Sequence, residues 1–373
     1  MDMAVTKHPA PVAVTQQQQQ DDNNAGSAKE EAPYERDIDA YLRSMERAPG
    51  RLPAPNYLDG GRSIKLETRA EVVGCLASAA HSLDVHSRTL HLAVSCLDRF
   101  LSSSTPDKVY SSSVAGVVVA ASAALFAAAK YEEEGAPPEA DEVVYVALKG
   151  HPLLCGDGFF KFTKAHLTAA ERAVLRAVGY DMSAPTAHTF LDHFVERIIR
   201  VQTIDQHGHK SAALLASYLA DLSLLDHGML RFRPSVVAAS ALLVATLTHI
   251  KHPWSGAALE AATGYAAAEL RECAAALNRL HRDSSSKVHL EGIKGKYSKS
   301  EFGRVATVLP LQDLFGAMET DDDDEPIIMP TTNHNICSTG LEDSCHDLDV
   351  SRIGEFLCCV PCKSRRRTHC HAN

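Results

Sequence analysis

The chain has 373 residues, 45% of them hydrophobic, and a formal net charge of −10 at pH 7. It is long enough to bury a sizeable core in about two domains plus tails, which excludes a small disulfide-stapled peptide. The acidic balance argues against nucleic acid as a partner, because phosphate binding needs a basic surface and the sequence offers one short basic run, Arg365–Arg367.

The first 33 residues are polar and include a glutamine run and the stretch "DDNNAGSAKEE". This composition cannot repay the entropy cost of ordering, so residues 1–33 are predicted to be a disordered tail. The segment lacks the continuous apolar core of a signal peptide, and no apolar run reaches the roughly 20 residues that span a bilayer. We therefore expect a soluble intracellular protein without a membrane span.

From Tyr34 to Pro310 the chain is predicted to be helical almost throughout, because apolar residues recur every three or four positions and proline or glycine clusters mark the breaks. Three stripes carry this prediction: Leu90, Val94, Leu97 and Leu101; Leu167, Val174 and Val178; and Phe190, Phe194 and Ile198. Gly179 follows the second stripe, where a helix-ending glycine is expected. The fold class is therefore all-α.

Two segments rich in small apolar residues, 113–131 and 235–254, follow the same plan. Each begins with Ser-Val and continues as a helix that is apolar on every side. Each is then followed by an amphipathic helix, the second of which carries Leu270, Cys273, Leu277 and Leu280. A helix that is apolar on all sides must be surrounded by others, so the repeat predicts two tandem bundles of about 100 to 120 residues.

Several of these motifs resemble the cyclin box of A- and B-type (mitotic-type) cyclins, namely "TLHLAVSCLDRFLS", "AAKYEE", "ERAVLRAVGYDMSAPT" and "FLDHF". The stretch from "SYLADLSLLDHGMLRFRPS" to "KYSKSEFGRVATV" is similar to the second cyclin fold. The alanine-rich composition resembles that of plant members, among them the divergent F-type group of grasses.

The resemblance implies two tandem five-helix cyclin folds, at residues 34–185 and 186–310, between disordered tails at 1–33 and 311–373. It implies a regulatory subunit that binds and activates a cyclin-dependent Ser/Thr protein kinase in the mitotic cell cycle. Such a protein is not an enzyme and uses no cofactor. It would act in the nucleus and cytoplasm, with kinase substrates as further partners.

The resemblance assigns kinase contact to Lys130, at the end of the first buried helix, and to Glu171 on a later helix. Glu171 falls within the stripe of Leu167 and Val174, where a core-facing charge is costly unless it is paired. Lys130 suits the negative end of a helix dipole. The alternatives are an ordinary helix cap for Lys130 and an edge position of a broad stripe for Glu171.

Glu132 and Glu133 occupy the family's paired-acid positions and complete the kinase-binding set that the resemblance implies. On its own, the triplet Glu132–Glu134 before Pro137 and Pro138 indicates a helix exit whose acidic side chains are mostly solvated.

Arg69 and Asp98 match a second pair in the family, an internal ion pair that ties the first helix of the box to the second. Asp98 has no cation at helical spacing within its own helix, so a long-range partner is expected. The alternative is two unrelated surface charges.

Thr68, Val72 and Cys75 occupy positions where family members carry an exposed apolar patch that docks an Arg-x-Leu motif on substrates. Within "TRAEVVGC", Thr68, Gly74 and Cys75 replace methionine, aspartate and tryptophan. Loss of a tryptophan anchor removes docking energy. We therefore expect a degenerate substrate-docking patch.

Two stretches are longer than is usual in the family: "SSTPDKVYSS" before the buried helix, and "KGHPLLCGDGFF" before the helix that carries Glu171. Both are expected to lie near the kinase-facing surface, where they would tune partner choice or weaken binding.

Residues 311–373 are acidic and then cysteine-rich, without helical periodicity, and are predicted to be disordered. The end, "FLCCVPCKSRRRTHCHAN", leaves three interpretations open: a zinc site of thiolates and imidazoles, lipidation of the Cys-Cys pair, or incidental cysteines. We favour the last and predict no metal. The cysteines of the body are expected to be small core hydrophobes: Cys75, Cys96, Cys155 and Cys273.

Two other functions remain open. A degenerate cyclin-fold protein would bind partners without activating a kinase, and the altered patch and the two insertions fit that interpretation. A cyclin-fold transcription factor would need a basic face on the second bundle, for which the sequence supplies Lys287, Lys294, Lys296 and Lys299.

Overall fold

The computed structural model describes residues 33–59, 64–150, 162–201, 206–248, 255–284 and 291–320. Within these ranges all regular secondary structure is helical, which confirms the all-α prediction. The predictions for most of the N-terminal tail, for residues 321–373 with their cysteines, and for Cys155 lie outside the described residues. The prediction that disorder begins at residue 311 is wrong, because Leu314–Thr320 forms a helix whose Leu314 and Met318 are buried in the core.

Among the described residues, five helices form the first bundle, preceded by one helix and interrupted by one short helix. In chain order these are α1 (Pro33–Arg47), α2 (Leu66–Ser82), α3 (Ser87–Ser102), the short α4 (Lys108–Ser111), α5 (Val114–Glu132), α6 (Ala140–Gly150) and α7 (Lys164–Ala177).

In the described ranges after Gly179, five further helices form the second bundle, which repeats the order of the first. They are α8 (Ala187–Val201), α9 (Gln206–Ser223), α10 (Pro234–Thr248), α11 (Gly256–Thr263) and α12 (Ala267–Asp283), followed by α13 (Glu291–Tyr297) and α14 (Leu314–Thr320). The prediction of two tandem five-helix bundles is therefore confirmed.

Each bundle is built around the small-residue helix that the sequence singles out. In the first bundle α5 packs against α2, α3, α6 and α7, and in the second α10 packs against α8, α9 and α12. Of the described helices, α5 is the one long and apolar enough to cross a membrane, but most of it is buried among its neighbours. Its composition is that of a core helix.

The predicted stripes face these cores. Every residue named for them is buried: Leu90, Val94, Leu97, Leu101, Leu167, Val174, Val178, Phe190, Phe194, Ile198, Leu270, Cys273, Leu277 and Leu280. Gly179 adopts a left-handed φ of +67° after α7, as expected of a helix-ending glycine. Cys96 and Cys273 are buried and Cys75 is half-buried, so these thiols pack as small hydrophobes.

A buried carboxylate joins the two bundles. Asp221 on α9 accepts hydrogen bonds from Tyr297 Oη (3.0 Å) and Ser87 Oγ (3.2 Å), and its Oδ1 lies 3.1 Å from His91 Nε2. Lys296 Nζ lies 3.3 Å from Oδ2. Burial raises the pKa of Asp221, but Lys296 and His91 together lower it by more than burial raises it. The net pKa of Asp221 therefore lies well below its ordinary value.

The insertion before the buried helix lies at the end of α5 that is far from Lys130. Asp107 caps α4 by accepting a hydrogen bond from Val109 N (3.0 Å), and α4 packs on the first turn of α5. At 1.5 Å rise per residue, Lys130 is about 24 Å from Val114. The insertion therefore lies far from Lys130, and the expectation that it lies near the kinase-facing surface stays a prediction. Most of the second insertion, residues 151–160, lies outside the described residues.

Substitution of Asp221 by asparagine should cost more stability at pH 7 than at pH 3. A carboxyl group whose folded pKa is depressed below its ordinary 3.8 stabilises the fold above that value, and the contribution fades as pH falls toward the folded pKa. The wild-type minus Asp221→Asn difference in unfolding free energy, measured by urea denaturation, should shrink by about 1 kcal/mol between the two pH values. An identical difference at both would contradict the depressed pKa.

The insertion packs closely against α5 at Gly116. A Cβ added there would lie 2.5 Å from the carbonyl oxygen of Val109, whereas one added to Gly135 would meet nothing within 4 Å. We expect Gly116→Ala to lower the unfolding free energy by about 1 to 3 kcal/mol, through overpacking. Gly135→Ala is the matched control. If Gly116→Ala and Gly135→Ala lowered the unfolding free energy equally in urea denaturation, α4 would be shown to shift away from the added methyl group at no cost.

Candidate functional site

Lys130 and Glu171 form an ion pair at the surface of the first bundle. Lys130 lies in the last turn of α5, and its Nζ pairs with Glu171 Oε1 on α7 and lies 4.2 Å from the centre of the Phe126 ring. The Lys130 side chain is 41% exposed and that of Glu171 is 9% exposed. The structure thus brings the two predicted residues together, with the ammonium group accessible and the carboxylate largely buried beneath it.

The position of Glu171 depends on how α7 is anchored. Leu167 and Val174 on either side of it are buried against α5, so the glutamate is carried at the edge of a fixed apolar face. The end of α7 is held by Arg99 of α3, which donates hydrogen bonds to the carbonyl oxygens of Val178 (3.0 Å) and Asp181 (2.8 Å). Sequence reasoning missed Arg99, because its partners lie about 80 residues away in the chain.

Glu133 has a structural role inside the bundle. It accepts hydrogen bonds from the backbone N–H of His86 (2.9 Å) and the hydroxyl of Thr89, and its Oε2 lies 2.6 Å from His86 Nδ1. These groups form the first turn of α3, whose free N–H groups attract a carboxylate. Burial raises the pKa of Glu133, and these hydrogen bonds lower it by more, leaving it below its ordinary value.

Glu132 is half-buried, and its Oε2 lies 3.9 Å from Arg88 Nε. Burial raises the pKa of Glu132, against the lowering effect of Arg88. The prediction that the acidic triplet is mostly solvated is therefore wrong for two of its members and right for Glu134, which is exposed. Kinase contact by Glu132 and Glu133 stays a prediction.

Arg69 and Asp98 form a buried bidentate ion pair between α2 and α3, with Nε to Oδ1 at 2.8 Å and Nη2 to Oδ2 at 2.6 Å. Both side chains are 1% exposed. Tyr57 donates a hydrogen bond to Asp98 Oδ1 (2.7 Å), and Arg69 Nη1 donates one to the carbonyl oxygen of Leu224 (2.9 Å). The pair thus braces the first bundle and also reaches the segment that follows α9.

The predicted docking-patch residues do not form an exposed apolar surface. Val72 is buried, with 1% exposure, and Thr68 and Cys75 are half-buried on the same face of α2. Burial raises the pKa of the Cys75 thiol, and Glu71 adds to the effect. Small side chains around an inward-facing valine leave little apolar area for a docking peptide.

An exposed apolar stripe on α1 was missed by sequence reasoning. Tyr34, Ile38 and Tyr41 are 55%, 42% and 59% exposed. Their i, i+4, i+7 spacing on an otherwise polar helix is the signal that would have revealed them. The opposite side of α1 is fixed to the second bundle, where Arg43 donates a hydrogen bond to the carbonyl oxygen of Thr263 and Glu46 accepts one from Ser235 Oγ.

The lysines considered for nucleic-acid binding do not assemble a basic face among the described residues. Lys296 points inward to Asp221, and Lys299 lies 2.7 Å from His81 Nε2 and 3.9 Å from Glu301. Lys287 lies outside the described residues. No cluster of histidine, cysteine or acidic residues that would hold a metal occurs in the described part of the chain.

Two family models match the chain, one described as the cyclin N-terminal domain over residues 37–183 and one as the cyclin C-terminal domain over residues 185–311. Cyclin-A3-1 of Oryza sativa subsp. japonica is 34% identical over 284 residues, which is 75% of this chain and 69% of the relative. Cyclin-F2-2 of the same rice is 33% identical over 253 residues, or 65% of this chain and 51% of the relative.

A solved structure, the X-ray structure of a viral cyclin from herpesvirus saimiri, has a similar fold. It superimposes with a TM-score of 0.52 at 15% identity and covers 66% of this chain and 95% of that chain.

Removal of the Asp98 carboxylate should be among the most damaging changes in the first bundle. Asp98→Ala leaves the Arg69 charge buried without its partner, so we expect a loss of about 3 to 5 kcal/mol in unfolding free energy. Glu272→Ala breaks an exposed pair with Arg231 and should cost less than about 1 kcal/mol. Urea denaturation compares the two. Should Asp98→Ala fail to fold, Asp98→Asn, which keeps the shape, serves in its place, and a cost as small as that of Glu272→Ala would contradict the bracing role.

Proposed function

The chain belongs to the cyclin family, and from that premise we propose that its first bundle binds a cyclin-dependent Ser/Thr protein kinase and shifts the kinase toward its active conformation. In this proposal the chain is a regulatory subunit, and the chemistry belongs to the kinase. Action in the nucleus and cytoplasm during the mitotic cell cycle is part of the same proposal.

The Lys130–Glu171 pair is the observation that carries the proposal. Glu171 and the Phe126 ring hold the Lys130 ammonium group in one place while leaving it accessible. A side chain that is already ordered loses less conformational entropy when a partner binds. The ammonium group has three donors, so it can keep Glu171 and still donate to a carbonyl or carboxylate of a kinase.

The surroundings of the pair support a protein partner. Tyr131, next to Lys130, is 54% exposed, and large exposed aromatics are common at the centres of interfaces. The neighbouring α8 contacts α1, because His193 Nε2 lies 3.7 Å from Asp39 Oδ1. We include the exposed stripe of α1 in the proposed contact, because large exposed aromatics are common at interfaces.

Substrate selection follows a different route in this proposal. Thr68, Val72 and Cys75 leave little exposed apolar area on α2 for a docking motif. Kinase substrates would therefore be recognised mainly by the kinase itself, and the chain would contribute activation more than recruitment.

The double substitution Lys130→Ala/Glu171→Ala should abolish most kinase activation. We expect a loss of tenfold or more in histone phosphorylation when the full chain is combined with a panel of plant cyclin-dependent kinases, since a central interface anchor is removed. The matched control is Lys164→Ala/Asp141→Ala, which removes an exposed pair at 3.6 Å between α6 and α7 with the same change in charge. Circular dichroism checks that both variants fold.

The charge-swapped variant Lys130→Glu/Glu171→Lys separates a contact role from an internal one. It restores the intramolecular pair while presenting the wrong charge to a partner, so it should stay inactive. Full activity of the swapped variant would assign the pair to the stability of the bundle alone. Failure of the folded wild type to bind any kinase would favour a degenerate cyclin-fold interaction protein.

A further inference from the structure

The insertion between α3 and α5 contains the one Ser/Thr-Pro step in the 373-residue sequence, Thr105-Pro106, with Lys108 three residues after the threonine. The surrounding segment is rich in hydroxyl groups, from Ser102 to Ser113. Its position at the far end of α5 from Lys130 leaves it outside the proposed kinase contact. The proposed kinase contact therefore does not account for the hydroxyl-rich composition and the Thr-Pro step of this insertion.

Most hydroxyl groups of the insertion serve the local fold. Ser111 and Ser112 donate hydrogen bonds to the carbonyl oxygens of Asp107 and Lys108, and Ser113 caps α5 by accepting one from Gly116 N. The side chains of Ser104 and Thr105 are both exposed and form no hydrogen bond within the described part of the chain, but only Thr105 precedes a proline. Thr105 Oγ1 is therefore free to react.

The backbone around Thr105 also suits recognition by an enzyme. Ser103 (φ −60°, ψ 152°) and Asp107 (φ −59°, ψ 117°) are both non-helical, and a residue that precedes proline is itself held in extended conformations. Only the four-residue α4 follows, and its first residue is Lys108. A short non-helical stretch between two helices, with Ser104 and Thr105 exposed, can enter a kinase groove with little rearrangement.

We propose that Thr105 is a phosphorylation site for a proline-directed Ser/Thr kinase. In the reaction Thr105 Oγ1 attacks the γ-phosphorus of ATP, the bond to the β–γ bridging oxygen breaks, ADP leaves, and the hydroxyl proton passes to the kinase's catalytic aspartate. Pro106 has no backbone N–H group. It therefore fits a kinase groove that offers no hydrogen-bond acceptor at that position, where any other residue would leave its N–H group unpaired. Lys108 supplies a cation for an acidic or phosphorylated group of the kinase.

The modification adds a charge of about −1.5 to −2 beside Asp107, at the end of α5 about 24 Å from the turn that holds Lys130. It therefore leaves the Lys130–Glu171 pair unchanged. Phosphorylation of Thr105 changes the charge at this end of α5 and does not act as a switch on that pair.

The test uses the full chain, a recombinant proline-directed kinase made active without this chain, and radiolabelled ATP. Phosphopeptide mass spectrometry locates the label. We expect close to one phosphate per chain, on Thr105. Thr105→Val should remove at least nine-tenths of the label, and Pro106→Ala should slow labelling tenfold or more although the hydroxyl remains. Ser104→Ala, which alters the adjacent exposed hydroxyl, should label at the wild-type rate.

Two results would overturn the proposal. One is labelling that survives Thr105→Val, or that is indifferent to Pro106→Ala. The other is a full chain that stays unlabelled while a free peptide of residues 101–109 is phosphorylated, which would mean that the fold hides the site. Neither depends on the proposed kinase activation, because the kinase is active before the chain is added. In a separate assay, kinase activation by Thr105→Val should stay within twofold of wild type.

Discussion

The requirement that a buried charge be paired fixes the geometry on which the rest of the molecule depends. Arg69 and Asp98 are both 1% exposed, so each buried charge needs the other. Asp98 also accepts a hydrogen bond from Tyr57, and Arg69 also donates one to the carbonyl oxygen of Leu224. Asp221 imposes the same requirement at a second point between the bundles. Apolar packing alone tolerates sliding, whereas these directional contacts favour one arrangement of the two bundles.

That rigid arrangement places the candidate contact at an edge where a buried helix reaches solvent. Residues 127–129 of α5 are buried, and Lys130 is the first position of its last turn with a side chain in water. Glu171 is held beside it by the packed face of α7, whose end is fixed by Arg99. A contact residue carried by anchored helices is held more precisely than one carried by a loop.

Hydrophobic periodicity predicted which face of each helix is buried, but it did not predict which residues of other helices pair with its polar side chains. The stripes at Leu90, Leu167 and Phe190 follow from spacing within one helix, and so does the repeat of the central helix. The partners of Glu133 lie 44 and 47 residues away, so the spacing of the acidic triplet could not show that it would turn inward. The pairing of Arg69 with Asp98, at a separation of 29, came from the family resemblance and not from the pattern itself.

The altered face of α2 and the ion pair of Lys130 with Glu171 are compatible because different helices carry them. Val72 turns into the core and Cys75 is half-buried, whereas α5 and α7 hold the ion pair through their own packing and the anchor at Arg99. Substitutions on the outer face of α2 therefore change what docks there without moving the pair. In the proposed function, activation of a kinase and recruitment of its substrates are physically separable, because the ion pair lies on α5 and α7 and the altered docking face lies on α2.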